Sequence, residues 1–155
     1  MLEIRSLKEC PERQDELAEY VKAQWPKVQN VVLPVIQESI TSQGSLPLTF
    51  LLLKSGLLIG FYQLIEHEFV TTRKELSPWI APLFIDQRER GNAFGSLLLE
   101  HARKITGQMG YEKVYLATDH ILFYEKYGFR EIGLDNFEWG RPAKIYEHDT
   151  IKYYQ

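Results

Sequence analysis

Leu2 and Ile4 alternate with charged neighbours in "MLEIRSL" and Leu7 follows, the period of a first strand. Pro11 then opens a helix at the position where proline is best tolerated. Leu17, Val21 and Trp25 keep a four-residue spacing along it until Pro26 stops it. A second short helix is expected to begin near Pro34 and to end before Gly44, with Val35, Ile36 and Ile40 turned inward. "LTFLLLKSGLLIGFYQLIE" is two apolar runs broken at Lys54-Ser55-Gly56, a hairpin pattern. "FVTTRKEL" reads as a polar connection.

"SPWIAPLFID" is almost wholly apolar, so it is expected as a central strand covered on both faces. Pro82 inside it cannot donate to a ladder, which predicts a bulge or a gap in pairing. The following helix places Leu98, Ala102, Ile105 and Met109 on one face, with Gly110 as its C-cap. "EKVYLAT" is a strand, "ILFYEKYG" a short helix closed by Gly128, and "FREIGL" a strand. After the Gly140-Arg141-Pro142 turn, "AKIYEHDTI" supplies the last strand. The order βαα-ββ-βα-βα-ββ predicts one α/β (α+β) domain over residues 1–155, built around a single twisted mixed sheet.

Composition narrows the function. With 155 residues, 45% hydrophobic and 25% charged, the chain can bury a real core. Its net charge of −3 argues against nucleic acid as a partner. No apolar run reaches the roughly 20 residues that cross a bilayer, and the charged N-terminus does not read as a secretory signal. No membrane partner is therefore expected, and the cytoplasm is the expected location. Cys10 is a single cysteine, and no zinc-ligand spacing is present, so no metal is expected.

Glycines at a helix start cost helical stability, yet "RERGNAFGSLLLEHA" (88–102) carries Gly91 and Gly95 there. The free first-turn amides and the dipole of a helix form an anion site. Gly91, Ala93 and Gly95 keep side chains away, and Arg88 and Arg90 add cationic donors. A phosphate or pyrophosphate ligand follows, beside the alternative of a solvated surface loop. The stretch is neither a Walker loop nor a dinucleotide fingerprint.

"LFIDQRERGNAFGSLLLEHA" resembles the acetyl-CoA loop of the GNAT superfamily of N-acetyltransferases. That loop is a hydrophobic strand, then Arg/Gln-x-x-Gly-x-Gly/Ala, then a leucine-rich helix. One register takes Arg90, Ala93 and Gly95 as the motif positions, with alanine replacing the first glycine. A rival takes Arg88, Gly91 and Ala93. "FYEKYGF" (123–129) is similar to the superfamily's late motif. The resemblance implies the GNAT acyl-CoA N-acyltransferase fold, with a mostly antiparallel sheet, about four helices and a splayed central strand pair. It implies acetyl-CoA as cosubstrate and direct transfer to an amine. The cofactor segment would be Leu83, Phe84, Ile85, Arg88, Arg90, Gly91, Asn92, Ala93, Phe94, Gly95 and Ser96. Tyr124 would be the acid that protonates the departing thiolate, with Tyr127 as the alternative.

The base is not legible. The strand position that carries a glutamate in some relatives falls near Trp79. Glu66, His67, Asp119 and His120 are polar groups able to reach an amine, but each reads first as a solvated or capping residue, and none is assigned the role. Cys10 fits no nucleophilic triad. The expected acceptor is a primary amine of a small molecule. A protein or peptide amine, a non-catalytic acyl-CoA sensor and an interaction domain without a CoA site remain as alternatives. Trp25, Trp79, Trp139 and the aromatic tail are candidates for a pocket wall or for the contact of a homodimer.

Overall fold

The computed structural model describes residues 1–43, 45–118 and 123–152. Strand β1 (Leu2–Ser6) is followed by helices α1 (Gln14–Gln24) and α2 (Gln29–Thr41) and by strands β2 (Leu48–Lys54), β3 (Leu57–Ile65) and β4 (Trp79–Ile85). Helix α3 (Phe94–Gln108), then β5 (Lys113–Thr118), β6 (Arg130–Asn136) and β7 (Pro142–Asp149), complete the chain. The strand order in the sheet is β1-β2-β3-β4-β5-β7-β6. β4 and β5 run parallel, and the pairs β1–β2, β2–β3, β5–β7 and β6–β7 are antiparallel. The mixed, mostly antiparallel sheet is the one expected.

The chain groups into two compact units, Met1–Leu64 with Pro82–Leu98, and Ile65–Ala81 with Leu99–Gln155. In the first, β2 and β3 meet at a two-residue turn, where Ser55 (φ 50°) and Gly56 (φ 84°) are both left-handed. That is the turn whose twist suits a hairpin. Leu17 and Val21 of α1 and Val32 and Ile36 of α2 pack with Leu51, Leu53 and Phe61. Leu7 is buried just beyond β1, whereas Leu2 is exposed at the strand's start.

Helix α2 corrects the expected boundary. It starts at Gln29, with Pro34 in its interior. An interior proline removes one helical hydrogen bond and crowds the carbonyl four residues back, at a cost of about 3 kcal/mol. The buried face continues through Val32, Ile36 and Ser39 on either side of it, so burial outweighs the local break. Gly44, the expected limit of this helix, lies outside the described residues.

In the second unit, β7 lies between β5 and β6, with Leu116 opposite Tyr146 and Arg130 opposite Glu147. β4 and β5 pair at one register position, Trp79 with Tyr115, and the Tyr115 amide donates to the Pro78 carbonyl at 3.0 Å. Among the described residues this pairing is confined to the N-terminal end of β4. The segment expected as a fourth helix is, in its described part, a 3-10 turn over Tyr124–Tyr127, closed by Gly128 at φ 88°. Ile121 and Leu122 lie outside the described residues.

The connection after β3 is tied to the β6–β7 hairpin. Val70 bridges Phe137, and the Thr71 amide donates to Asn136 O at 2.9 Å. Buried Asp135 accepts from the hydroxyls of Thr71 and Thr72, each at 2.7 Å. Burial pushes its carboxyl up, but the hydrogen bonds from Thr72 and Thr71 prevail and hold it near about 2. Glu68 differs. Burial raises its carboxyl to about 7, against a single opposing bond from the Phe69 amide at 2.8 Å.

Glu68 binds its proton more tightly in the folded chain, from an ordinary value of 4.5 to about 7. The stability linked to that proton is complete below the unfolded value and is lost as pH rises through about 7. Glu68→Gln does not ionise, so its melting temperature should gain on the wild type by a few degrees between pH 5 and pH 8. A difference independent of pH would overturn the assignment. A second test concerns Gly107, a helical glycine where propensity alone favours alanine by about 1 kcal/mol. A Cβ there would overlap the backbone carbonyl of Ile151. That carbonyl cannot retreat easily, because Ile151 N donates to Arg103 O at 3.0 Å. Gly107→Ala should therefore destabilise by roughly 1–3 kcal/mol in urea unfolding; a raised midpoint would refute the clash.

Candidate active site

The first candidate segment runs from β4 into α3 within the first unit. Ladder geometry alternates along β4. The Asp86 amide donates to Ile59 O of β3 at 2.7 Å, so Phe84 shares that edge. The backbone groups of Leu83 and Ile85 then face the opposite edge, where Ile85 O already accepts from Arg90 Nε. The Phe84 side chain is a core group. It is buried, and its ring stacks on Trp25 with centroids 5.2 Å apart and an interplanar angle of 29°. Gly60 in β3 keeps the approach close, since a Cβ there would come within 2.7 Å of Phe84 O.

The loop after β4 turns on Asp86, only 1% exposed. Its Oδ1 accepts from the Arg88 amide at 3.0 Å and from Arg88 Nε at 3.1 Å, while Oδ2 accepts from Arg88 Nη2 at 3.2 Å. The Tyr20 hydroxyl of α1 donates to Oδ2 at 3.0 Å. The Arg88 side-chain bonds contribute most to holding the Asp86 carboxyl down to about 2, against its burial. Burial, then the bond to Asp86, pushes the Tyr20 phenol above the ordinary tyrosine range. Arg88 was expected to offer its guanidinium to phosphate; here that group braces Asp86.

Arg90 is arranged differently. Its Nε donates to Ile85 O at 3.0 Å, and its guanidinium carbon lies 5.4 Å from the Phe84 ring centroid. Gly91 (φ 91°) and Ala93 (φ 62°) are both left-handed. Such a backbone suits Gly91, whereas at Ala93 it strains an L-residue by roughly 1–2 kcal/mol. Asn92 Nδ2 donates to Glu89 O at 3.1 Å, and the Ser96 hydroxyl to Ala93 O at 2.7 Å. Gly91, Asn92 and Ala93 are exposed, while Phe94, Gly95 and Ser96 are half-buried in the first turn of α3.

The second motif lies in the other unit. Tyr124 begins the 3-10 turn, half-buried, with its ring 6.2 Å from Phe129, 6.0 Å from Tyr146 and 4.8 Å from Phe123. Tyr127 is also half-buried and meets Phe123 at 5.4 Å. The hydroxyl of buried Tyr146 donates to Glu125 Oε2 at 2.8 Å.

The other candidates divide. Glu66 and His67 are exposed on the connection after β3. Asp119 and His120 lie outside the described residues, as do the tail tyrosines Tyr153 and Tyr154. Trp79 is not available as a pocket wall or dimer contact: it is fully buried, with Nε1 donating to Leu76 O at 2.7 Å. Trp25 packs on the core, while Trp139 is 56% exposed. Cys10 is fully buried, its Sγ donates to Ser6 O at 3.3 Å, and burial pushes its thiol up. Both effects disfavour a thiolate nucleophile. Sequence reasoning missed Tyr20, Asp86 and Glu68. Asp86 carried one signal, as the first charge after an apolar strand.

The GNAT acetyltransferase domain description matches residues 47–131. Among curated proteins no match is found. Solved structures are similar over nearly the whole chain. An aminoglycoside 6'-acetyltransferase type Ii has 20% identity and a TM-score of 0.74, with 98% of this chain and 99% of that one covered. An aminoglycoside 6'-N-acetyltransferase complexed with coenzyme A has 17% identity and a TM-score of 0.71, with 99% of each chain covered. A GNAT-family acetyltransferase from Desulfovibrio desulfuricans reaches a TM-score of 0.76 at 14% identity, covering 96% of this chain and 99% of that one. These identities speak for the fold. The domain match spans more than half of the residues and includes the β4–α3 loop and the 3-10 turn of Tyr124, so this chain belongs to the GNAT acetyltransferase family.

Proposed function

We propose that the protein transfers the acetyl group of acetyl-CoA directly to a primary amine of a small molecule. The observation that carries this reading is the backbone between β4 and α3. Two left-handed residues, Gly91 and Ala93, deliver the chain into the helix. Strain at a non-glycine residue is tolerated where the local geometry serves a purpose. Here it presents the amides of the first turn, with Gly95 and Ser96 leaving room for a pyrophosphate. Arg90 supplies the adjacent cation. The left-handed Ala93 stands where the register Arg90, Ala93, Gly95 puts a glycine, and the equally left-handed Gly91 keeps the rival register Arg88, Gly91, Ala93 in play. Leu83 and Ile85 would offer backbone groups to the pantetheine arm.

Direct transfer needs an acid for the departing thiolate, and Tyr124 is assigned that role. Its phenol carries the proton that the thiolate takes as it forms. The buried Cys10 thiol supports a route without an acyl-enzyme intermediate. Aminoglycoside acetyltransferases among the structural neighbours support a small cationic amine as acceptor.

Binding and chemistry are tested separately. Gly95→Glu puts a carboxylate in the first turn of α3, where the helix itself welcomes negative charge but a pyrophosphate does not. Acetyl-CoA affinity should fall strongly in calorimetric titration, with the melting temperature unchanged. Arg90→Ala should weaken binding less, by about 1.5–3 kcal/mol. Undiminished affinity in the glutamate variant would remove the cosubstrate from this loop.

Release of CoA, followed with a panel of primary amines, should identify acceptors. In Tyr124→Phe, turnover should then drop about 10²–10⁴-fold with acetyl-CoA affinity nearly unchanged, because the lost proton matters in the transition state. Tyr127→Phe should cost far less. Near-normal turnover in the Tyr124 variant would sink its assignment.

A further inference from the structure

The turn that carries Tyr124 has little stability of its own. It is a four-residue 3-10 turn, Tyr124–Tyr127, and pieces this short owe their position to tertiary contacts. Gly128 closes it in a left-handed conformation, with its amide donating to Glu125 O at 3.1 Å. Side chains of β7 tie it to the sheet: His148 bonds the Tyr127 backbone, and Tyr146 bonds Glu125. Tyr146 is fully buried in β7, and its hydroxyl donates to Glu125 Oε2 at 2.8 Å. Tyr146 is itself fixed by the ladder, opposite Leu116 of β5 and Glu131 of β6. Its ring lies 6.0 Å from that of Tyr124, and Phe129 bounds Tyr124 at 6.2 Å.

We propose that Tyr146 and Glu125 are positioning residues that hold the Tyr124 hydroxyl where it protonates the departing thiolate. The inference rests on the reading of Tyr124 as the acid. Glu125 is exposed and has no core function that would otherwise demand a buried partner. Burial, then the bond to Glu125, pushes the Tyr146 phenol up to about 12, so it stays a donor throughout the working range. Misplacing a catalytic group by about 1 Å is enough to cost about 100-fold in rate. Loosening this clamp should therefore act on turnover while leaving the acetyl-CoA loop untouched.

The test is a double-mutant cycle read on CoA release from acetyl-CoA. It uses the best amine of the panel and, independently, water as acceptor, since both routes expel the same thiolate. Tyr146→Phe removes only the hydroxyl, and Glu125→Ala attacks the same bond from its exposed end, which guards against misfolding. Each should lower kcat about 10- to 100-fold with the acetyl-CoA Kd within twofold. Glu125→Gln, whose amide oxygen still accepts the bond, should restore most of the rate. In a Tyr124→Phe background neither Tyr146→Phe nor Glu125→Ala should lower kcat further. Full additivity there, or normal kcat in the single variants while Tyr124→Phe is slow, would overturn the positioning role alone. Normal turnover in Tyr124→Phe would overturn the acid assignment and this inference together.

Discussion

A carboxylate taken almost wholly out of water at the end of a strand must find partners, and Asp86 finds them in its own loop. An unpaired buried charge costs several kcal/mol, so its surroundings are strongly constrained. The Arg88 amide and guanidinium curl back on the carboxylate, and Tyr20 reaches it from α1. The Asp86 amide is meanwhile pinned to β3 through Ile59. One residue thus ends β4 and starts the turn. The later members inherit that course: Arg90 returns to Ile85 O, Gly91 and Ala93 adopt left-handed backbone, and α3 begins at Phe94. Arg88 is largely exposed at its side chain, yet its pairing partner is buried. The value of this ion pair lies in where it points the chain more than in surface attraction.

The second unit uses the same device with neutral donors. Asp135 collects the hydroxyls of Thr71 and Thr72 and the amides of Thr72 and Asn136. No cation is among those hydrogen-bond partners, and bonds to the charged form suffice. Glu68, on the same connection, receives one amide, and its carboxyl, raised to about 7, still titrates around neutral pH. The two carboxylates differ in the number of donors aimed at them, and the Glu138 charge adds to the burial that raises Glu68.

Local signals carried the strands well. The hairpin was legible because Ser55-Gly56 separates two apolar runs, and the start of α3 because its glycines precede a leucine-rich face. Pro34 misled, since proline marks a helix start in most settings and here the buried face of α2 simply runs past it. The placement of β7 between β5 and β6 was beyond reach, because strand periodicity says which face is buried and not which strand lies alongside. The same limit applies at the candidate site. Arg88 and Arg90 look alike in sequence, and only the burial of Asp86 separates a brace from a cation left beside the loop. Trp79 read as a pocket residue, but an indole whose N–H finds a backbone carbonyl three residues away is at ease inside a core.

Three main-chain bonds hold the tip of the β6–β7 hairpin, beside an exposed ion pair of Lys74 Nζ with Glu138 Oε2 at 3.1 Å. Phe137 N donates to Arg141 O at 2.8 Å, Glu138 N to Phe69 O at 2.9 Å, and Gly140 N to Phe137 O at 2.8 Å. The side chains of Phe137 and Trp139 stack outside this scaffold, at 4.8 Å and an interplanar angle of 4°. Architecture at this corner therefore leans on main chain more than on side chains, whose ion pair is exposed and worth little. Exposed residues 138 and 139 can drift in polarity, size and charge under selection at small cost while the strands beneath them keep their register, which makes the corner a place where descendants of this chain can diverge without refolding.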